Sequence, residues 1–305
     1  MKLRIGTRKS PLAMWQAHKA QDLLESNGYS TEIIPISSEG DLKLSQPIYE
    51  LGITGVFTKA LDIALVNNQI DVAVHSLKDV PTQLANGLHL AACLPRGDHQ
   101  DIFVIKSNDF FTKEKRTIAT GSLRRRAFWL HQFPKDELVD LRGNVQLRIQ
   151  KLLQNKWDAA IFAYAGLDRS EILHDLKKQD LSYHFLPAMV SAPSQGIVGM
   201  VTRKDLDLSE ISHPSTEKAA HIERSFLRKL QGGCTAPIGG FAKILEDGQV
   251  EFHGVVLSLD GKEKIEVKKT AMVTDAVAFG IEMAEICISQ GAEQMIREIK
   301  RELNE

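Results

Sequence analysis

The sequence is poor in the features that mark several classes of protein. Only three of its 305 residues are cysteines, and this odd, widely spaced set argues against a disulfide framework. No stretch approaches the roughly 18 apolar residues of a membrane span. The first residues, "MKLRIGTRKSPLAMW", also lack the apolar segment of a secretory signal. We therefore expect a cytoplasmic protein without a membrane partner.

The sequence has almost no net charge. Its 38 basic and 39 acidic side chains leave −1, which argues against a protein that coats nucleic acid through bulk charge. The stretch "LRRRAFWLHQF" mixes basic and aromatic side chains, as RNA-binding segments do, but its aromatic spacing is that of a helix packed on a core. No metal-ligand spacing and no glycine-rich nucleotide motif occurs. Any electropositive site must be local.

Short apolar runs alternate with helical patterns in the first two thirds of the chain. In the first cycle "LRIGT" predicts a strand, Ser10 and Pro11 a helix start, and Gly28 its end. A second cycle of the same kind follows "TIAT". Strands and helices that alternate at this pitch predict mostly parallel sheets with helices on both faces, which is an α/β fold.

The last third of the sequence has a different pattern of apolar and polar residues. "GQVEFHGVVLSLDGKEKIEVKKTAMV" alternates like antiparallel strands around an Asp-Gly turn, and a final amphipathic helix pattern runs from about Ala276 to the end. We expect three domains: a discontinuous first lobe of residues 1–95 and 190–207, a second lobe of residues 98–188, and a small α+β domain of residues 212–305.

Basic side chains gather where strands end and helices begin. They form three groups: Arg8 with Lys9, Arg124 with Arg125 and Arg126, and Arg142 with Arg148. Helix N-termini already carry partial positive charge, so cations there are unfavourable unless anions bind. Ligands of open α/β sheets bind at the carboxyl ends of strands, and arginine suits carboxylate or phosphate groups. The pattern predicts a site for several anionic groups.

A carboxylate is expected at the same edge. In "VHSLKDVPT", Lys78 and Asp79 leave a predicted strand, and Pro81 keeps the following backbone extended. Asp79 could accept hydrogen bonds from ligand N–H groups or stabilise a developing cation. Taken alone, the two residues fit a surface ion pair of little energetic value better than a functional site.

The three cysteines differ in their surroundings. Cys93 and Cys287 lie in apolar patterns and are expected to be buried. Cys234, in "GGCTAPIGG", sits between glycines that hold it on a tight loop. Nearby cations would favour its thiolate, but the residues alone leave open whether this thiol reacts.

Taken together, these segments resemble one family, porphobilinogen deaminase, also called hydroxymethylbilane synthase. The resemblance rests on "IGTRKSPLAMWQA", "FTKALDIALVNNQIDVAVHSLKDVPT", "GSLRRRAFWL", "LRGNVQLRIQKL", "FAYAGLDR" and "GGCTAPIGG". It implies two lobes like those of periplasmic binding proteins, with the site between them, and a third domain that carries the cofactor cysteine. The implied protein is a monomeric transferase of tetrapyrrole and haem biosynthesis.

The resemblance also implies a cofactor and a set of residue roles. Cys234 would carry a dipyrromethane cofactor through a thioether, and porphobilinogen would be the substrate. Asp79 would be catalytic. Cofactor contacts would come from Lys78, Asp79, Thr120, Ser122, Arg124, Arg125 and Arg148. Substrate contacts would come from Arg8, Ser10, Arg142, Arg148 and Gln195.

Some positions depart from the family pattern. Thr54 stands in "GITGVF" where a lysine is common, and Glu39 stands where a basic residue is frequent. Both changes remove positive charge. A rival interpretation is a two-lobed anion-binding protein without catalysis, which would explain the arginines but give Cys234 no role.

Overall fold

The structure is a computed structural model that describes residues 2–37, 58–231 and 236–303. The strands in these ranges form three sheets, two of five strands and one of three. Both the α/β class and the separate C-terminal sheet that the sequence predicts are confirmed. Thr54 and Glu39 lie outside the described residues. Within the described ranges, no helix is both long enough and apolar enough to cross a membrane.

The first sheet contains four strands that run in one direction and one that runs against them. Its strands are β1 (Lys2–Arg8), β2 (Ser30–Ile36), β3 (Val72–Ser76), β4 (Leu88–Cys93) and β10 (Val198–Arg203). Their spatial order is β2-β1-β3-β10-β4, and β10 pairs antiparallel with both of its neighbours. Helices α1 (Pro11–Ser26) and α2 (Lys59–Val66) pack their apolar side chains on this sheet.

The second sheet repeats this arrangement. Its strands are β5 (Asp101–Ile105), β6 (Thr117–Ala119), β7 (Glu137–Val139), β8 (Ala159–Ala163) and β9 (Ser182–Phe185). The spatial order is β7-β6-β8-β5-β9, and here β5 is the reversed strand. Its helices are α3 (Leu123–Gln132), α4 (Val145–Gln154), α5 (Tyr164–Asp168) and α6 (Ile172–Leu176). Each lobe therefore has its reversed strand in the fourth place.

Polar side chains start the helices that face the space between the two sheets. Ser10, Ser122 and Asn144 each accept a hydrogen bond from the backbone N–H three residues further on. This bond satisfies one of the amide groups that a helix start leaves unpaired. The cap at Ser10 confirms the helix start predicted there.

The third unit is an antiparallel sheet covered by helices. It contains β11 (Ile238–Ile244), β12 (Gln249–Leu257), β13 (Lys264–Met272), α7 (Pro214–Lys229), α8 (Ala276–Ser289) and α9 (Ala292–Glu302). The predicted Asp-Gly turn joins β12 to β13, with Gly261 at a φ of 74°. The prediction of one final helix is wrong, because Gly291 takes a φ of 101° and separates α8 from α9.

One buried carboxylate joins the third unit to the connections between the lobes. Glu223 of α7 is 0% exposed. It lies 2.5 Å from Nη1 of Arg96, which follows β4, and accepts the N–H of Ser194, which precedes β10, at 2.5 Å. It also accepts the N–H of Ala242 in β11 at 2.8 Å. The third unit and both connections between the lobes therefore meet at Glu223.

The substitution Glu223→Gln should destabilise the protein by about 3 kcal/mol, because it leaves the Arg96 charge without its buried partner. The added amide also turns a donor toward a backbone N–H that needs an acceptor. Urea unfolding followed by circular dichroism measures the loss.

The matched control is Glu217→Gln on the same helix, where the carboxylate is partly exposed and lies 3.6 Å from His221. It should change the free energy of unfolding by less than about 0.5 kcal/mol. Equal unfolding midpoints for the two variants would contradict the role of Glu223.

Candidate active site

A cavity of about 380 Å³ lies where the carboxyl ends of strands from both lobes face each other. The residues that follow β1, β3, β6 and β8 line it, as expected for ligand sites of open α/β sheets. The third unit closes one side through Leu227, Ala236 and Ile238. The predicted site residues on its wall are Arg8, Ser10, Lys78, Asp79, Ser122, Arg124, Arg125, Arg142, Arg148 and Gln195.

Among the described residues, one predicted site residue, Thr120, is not part of the cavity lining. Thr120 is 1% exposed, and its hydroxyl accepts the N–H of Ser122 at 3.3 Å. Thr120 therefore supports the turn that leads into α3, and its expected contact with a cofactor stays a prediction. Cys234 lies outside the described residues. Ala236, two positions later, lines the cavity.

The other two cysteines are buried free thiols. Cys93 ends β4, and Cys287 packs in the core under α8. Burial raises the pKa of each thiol to about 12, which disfavours the reactive thiolate. The prediction that both are buried is confirmed.

A carboxylate that the sequence analysis missed lies between two of the predicted arginines. Asp101 is 0% exposed, with Nη2 of Arg124 at 2.7 Å and Nη2 of Arg125 at 2.8 Å from its oxygens. Burial alone would raise the pKa of Asp101, but the charges of Arg124 and Arg125 outweigh it and lower the pKa to about 2. The signal in the sequence was an acidic residue directly before the apolar run "IFVI".

Gln195 connects this pair to the first lobe. Its side-chain N–H₂ donates to Asp101 at 3.0 Å and to the carbonyl oxygen of His99 at 2.7 Å. Its side-chain oxygen accepts from Lys78 Nζ at 3.1 Å. Burial and the charge of Arg125 lower the pKa of the Lys78 ammonium to about 8. Lys78 therefore loses its proton at a much lower pH than an ordinary lysine does.

The start of α4 adds further positive charge. Arg148 donates from Nε to the carbonyl oxygen of Gly143 at 2.7 Å, which fixes its guanidinium at the cavity wall. Burial and the charge of Arg125 lower the pKa of Arg148 to about 10, with Arg142 adding to the repulsion. Like charges held this close favour the binding of an anion.

Asp79 is the exposed carboxylate of this wall. It follows β3 in a short 3₁₀ turn (Leu77–Asp79), so the end of the strand places it at the cavity. Its negative charge acts on Lys78 and on Arg148, in both cases favouring the charged form of the base. Because Asp101 is enclosed by arginines, Asp79 is the carboxylate of the two that a ligand in the cavity can reach.

The described part of the chain holds no cluster of histidine, cysteine and acidic side chains that could bind a metal ion. The cavity instead offers guanidinium and ammonium groups, capped helix starts and one accessible carboxylate. This arrangement can bind a ligand with several carboxylates and can stabilise positive charge that develops beside Asp79.

Comparison with known proteins agrees with this geometry. Residues 3–210 match the family "Porphobilinogen deaminase, dipyromethane cofactor binding domain", and residues 218–288 match "Porphobilinogen deaminase, C-terminal domain". The porphobilinogen deaminase of Chlorobium phaeobacteroides is 38% identical over 315 residues, covering 98% of each chain. That of a Nostoc species is 37% identical over 317 residues, covering 99% of this chain and 95% of its own.

Solved structures with lower similarity were also found. The VFT2 domain of Bordetella pertussis BvgS is 13% identical, with a TM-score of 0.42 over 69% of this chain and 84% of its own. A probable amino-acid ABC transporter extracellular-binding protein of Bacillus subtilis is 11% identical, with a TM-score of 0.43 over 70% and 88%. On the family matches and the near full-length relatives, the chain belongs to the porphobilinogen deaminase family.

Proposed function

We infer that the chain catalyses the reaction of its family. Four porphobilinogen molecules are condensed in turn, each with loss of ammonia, onto a cysteine-linked dipyrromethane cofactor, and hydrolysis then releases the linear tetrapyrrole hydroxymethylbilane. The observation that carries this inference is a cation-lined cavity whose wall includes the exposed carboxylate of Asp79 and also Ala236, two positions after Cys234 in the sequence.

The residues present fit a dipyrromethane group. Each of its two pyrroles carries an acetate and a propionate, so the group is a polyanion, and the cavity wall supplies cations from both lobes. The volume of about 380 Å³ is within the range of small-molecule sites. When bound, the group supplies the pyrrole end to which substrate units are added. We propose Cys234 as its anchor, because Ala236 already lies on the cavity wall.

The cations have two proposed tasks. Lys78, Arg124, Arg125 and Arg148 bind carboxylates of the cofactor, helped by the hydroxyl of Ser122. Arg8, Arg142 and Arg148 bind carboxylates of the incoming substrate, helped by Ser10 and Gln195. Guanidinium groups suit these tasks because they can donate two parallel hydrogen bonds to one carboxylate.

Asp79 is the proposed catalytic residue. Its exposed carboxylate can accept hydrogen bonds from pyrrole N–H groups and hold the rings in register. As ammonia leaves, positive charge develops on the substrate, and a carboxylate fixed beside it lowers the energy of that state. The surrounding cations bind the side-chain carboxylates of the ligand, which leaves Asp79 to act on the rings.

We also propose a cytoplasmic monomer. Two of the three cysteines are buried free thiols, a state that reducing surroundings favour. The monomeric state is proposed from the resemblance to the family alone.

The substitution Cys234→Ser should abolish cofactor attachment, because a serine hydroxyl is a much poorer nucleophile than a thiol. Intact mass by electrospray under denaturing conditions should show two porphobilinogen units, less the ammonia lost, on the wild type and a bare mass on the variant. Cys93→Ser is the control, since Cys93 is buried away from the cavity, and it should carry the full cofactor mass. A bare wild-type mass after incubation with porphobilinogen would favour the non-catalytic anion-binding protein.

The substitution Asp79→Ala should retain the covalent cofactor and lower kcat by about 10²-fold or more, because it removes the charge that stabilises the reacting centre. Asp22→Asn, an exposed carboxylate on α1 paired with Lys19, should leave kcat unchanged. Steady-state formation of the tetrapyrrole measures both variants. Normal turnover by Asp79→Ala would remove Asp79 from the mechanism.

The binding of the cofactor carboxylates by Lys78, and with it the efficiency of substrate addition to the cofactor, should weaken as the pH rises through about 8. Below that pH Lys78 is protonated and attracts carboxylates; above it the amine is neutral, because its pKa is lowered to about 8. The ratio of kcat/KM between Lys78→Arg and the wild type should rise by about tenfold from pH 7 to pH 9.5, since arginine keeps its charge. Taking the ratio cancels the substrate's own titration, and a ratio independent of pH would contradict the role of Lys78.

A further inference from the structure

Asp101 and Gln195 hold corresponding places in the two lobes. Asp101 is the first residue of β5, the reversed strand of the second sheet, and Gln195 shortly precedes β10, the reversed strand of the first. Because a reversed strand begins where its parallel neighbours end, both residues lie at the cavity edge of their sheets. Both also follow segments in which the chain passes from one lobe to the other.

These two residues tie the basic groups of both lobes together. Asp101 lies within 2.8 Å of guanidinium nitrogens of Arg124 and Arg125 in the second lobe. Gln195, 1% exposed, donates to Asp101 at 3.0 Å and accepts from Lys78 of the first lobe at 3.1 Å. Lys78 and Asp101 also attract each other through their charges.

Arg124 and Arg125, the arginines beside Asp101, also donate hydrogen bonds to backbone carbonyl groups. Arg125 donates from Nε to Asp101 at 3.0 Å and from Nη1 to the carbonyl oxygen of Ile161 at 3.1 Å. Arg124 donates from Nη1 to the carbonyl oxygen of Val190 at 2.7 Å. Both side chains are nearly buried and both reach the cavity. Groups of the protein therefore fix the orientation of Arg124 and Arg125 and already balance part of their positive charge.

We propose that Asp101 is a positioning residue that acts as an internal counter-ion: it orients Arg124 and Arg125 and limits the positive charge that the cavity presents to carboxylated ligands. This role rests on the proposed function, since it concerns a chain of pyrroles that must bind, advance and finally leave. Asp101 repels the carboxylates of that chain and so keeps the cavity from holding them too tightly.

The substitution Asp101→Asn tests this role, because the amide keeps the size and one acceptor oxygen but removes the charge. With one positive charge more, the cavity should hold anions better, and KM for porphobilinogen should fall by about three- to tenfold. Release of the polyanionic product should slow, and kcat should fall by about tenfold. After a limited dose of porphobilinogen, intact mass should show more protein carrying the longest pyrrole chains.

The control is Asp98→Asn, an exposed carboxylate in the same connection between β4 and β5 that accepts only a local hydrogen bond from the N–H of Gln100. It removes the same charge outside the arginine pair and should leave KM, kcat and the mass pattern unchanged. A role in folding alone would raise KM or leave it unchanged in Asp101→Asn, and either result overturns the proposal.

A second variant covers the case in which Asp101→Asn does not fold. In the double variant Asp101→Asn with Arg124→Gln, the carboxylate charge and one of its guanidinium partners are removed together, so the protein should fold. A double variant that does not fold would overturn the counter-ion role.

The test of Asp101 can be distinguished from the test of the proposed function. Absence of any pyrrole mass on wild-type protein would contradict the reaction itself, whereas a cofactor-loaded wild type with a raised KM in Asp101→Asn contradicts only the role of Asp101.

Discussion

Like charges brought together at the cavity are the constraint around which this structure is organised. Arg124, Arg125 and Lys78 approach one another inside a partly buried space, where their mutual repulsion is only weakly screened. The carboxylate of Asp101 and its bond to Gln195 make this arrangement stable without a bound ligand. Breaking a buried pair of this kind costs about 3–5 kcal/mol, so the position of Asp101 matters to folding as well as to binding.

The sheet topology explains how carboxylates and cations reach the same place. Four strands of each lobe point their carboxyl ends at the cavity and deliver Arg8, Asp79 and the capped starts of α3 and α4. The reversed strands β5 and β10 enter from that same edge, so their first residues meet there too. Each lobe thus contributes cations from its forward strands and a polar group that holds them from its reversed strand.

The third unit is tied into this centre by Glu223. That carboxylate binds Arg96, and Arg96 in turn donates from Nε to the backbone carbonyl of Gln195 at 2.9 Å. The carbonyl oxygen of His99 accepts from Gln195, and the His99 ring packs against Phe241 of β11 at a tilt of 31°, with ring centroids 3.6 Å apart. The part of the chain that carries the proposed anchor loop is therefore fixed against the same connections that position the basic groups.

Sequence patterns predicted much of the architecture because their physical causes are local. The helix start at Ser10 was predicted correctly, since a cap depends on residues within one turn. The burial of Cys93 and Cys287 followed from apolar periodicity. The last helix was read as continuous, because its apolar pattern extends across Gly291 and only the backbone conformation there shows the break.

Sequence patterns predicted the alternating strands and helices, the grouping of arginines at helix starts, and the placement of Asp79 at the end of a strand. These follow from short-range propensity and from the direction in which parallel strands run. The folded chain alone reveals that Asp101 pairs with Arg124 and Arg125 and that Glu223 joins the third unit to both connections between the lobes. Those contacts join residues far apart in the chain, where spacing and periodicity carry no information about which side chains will meet.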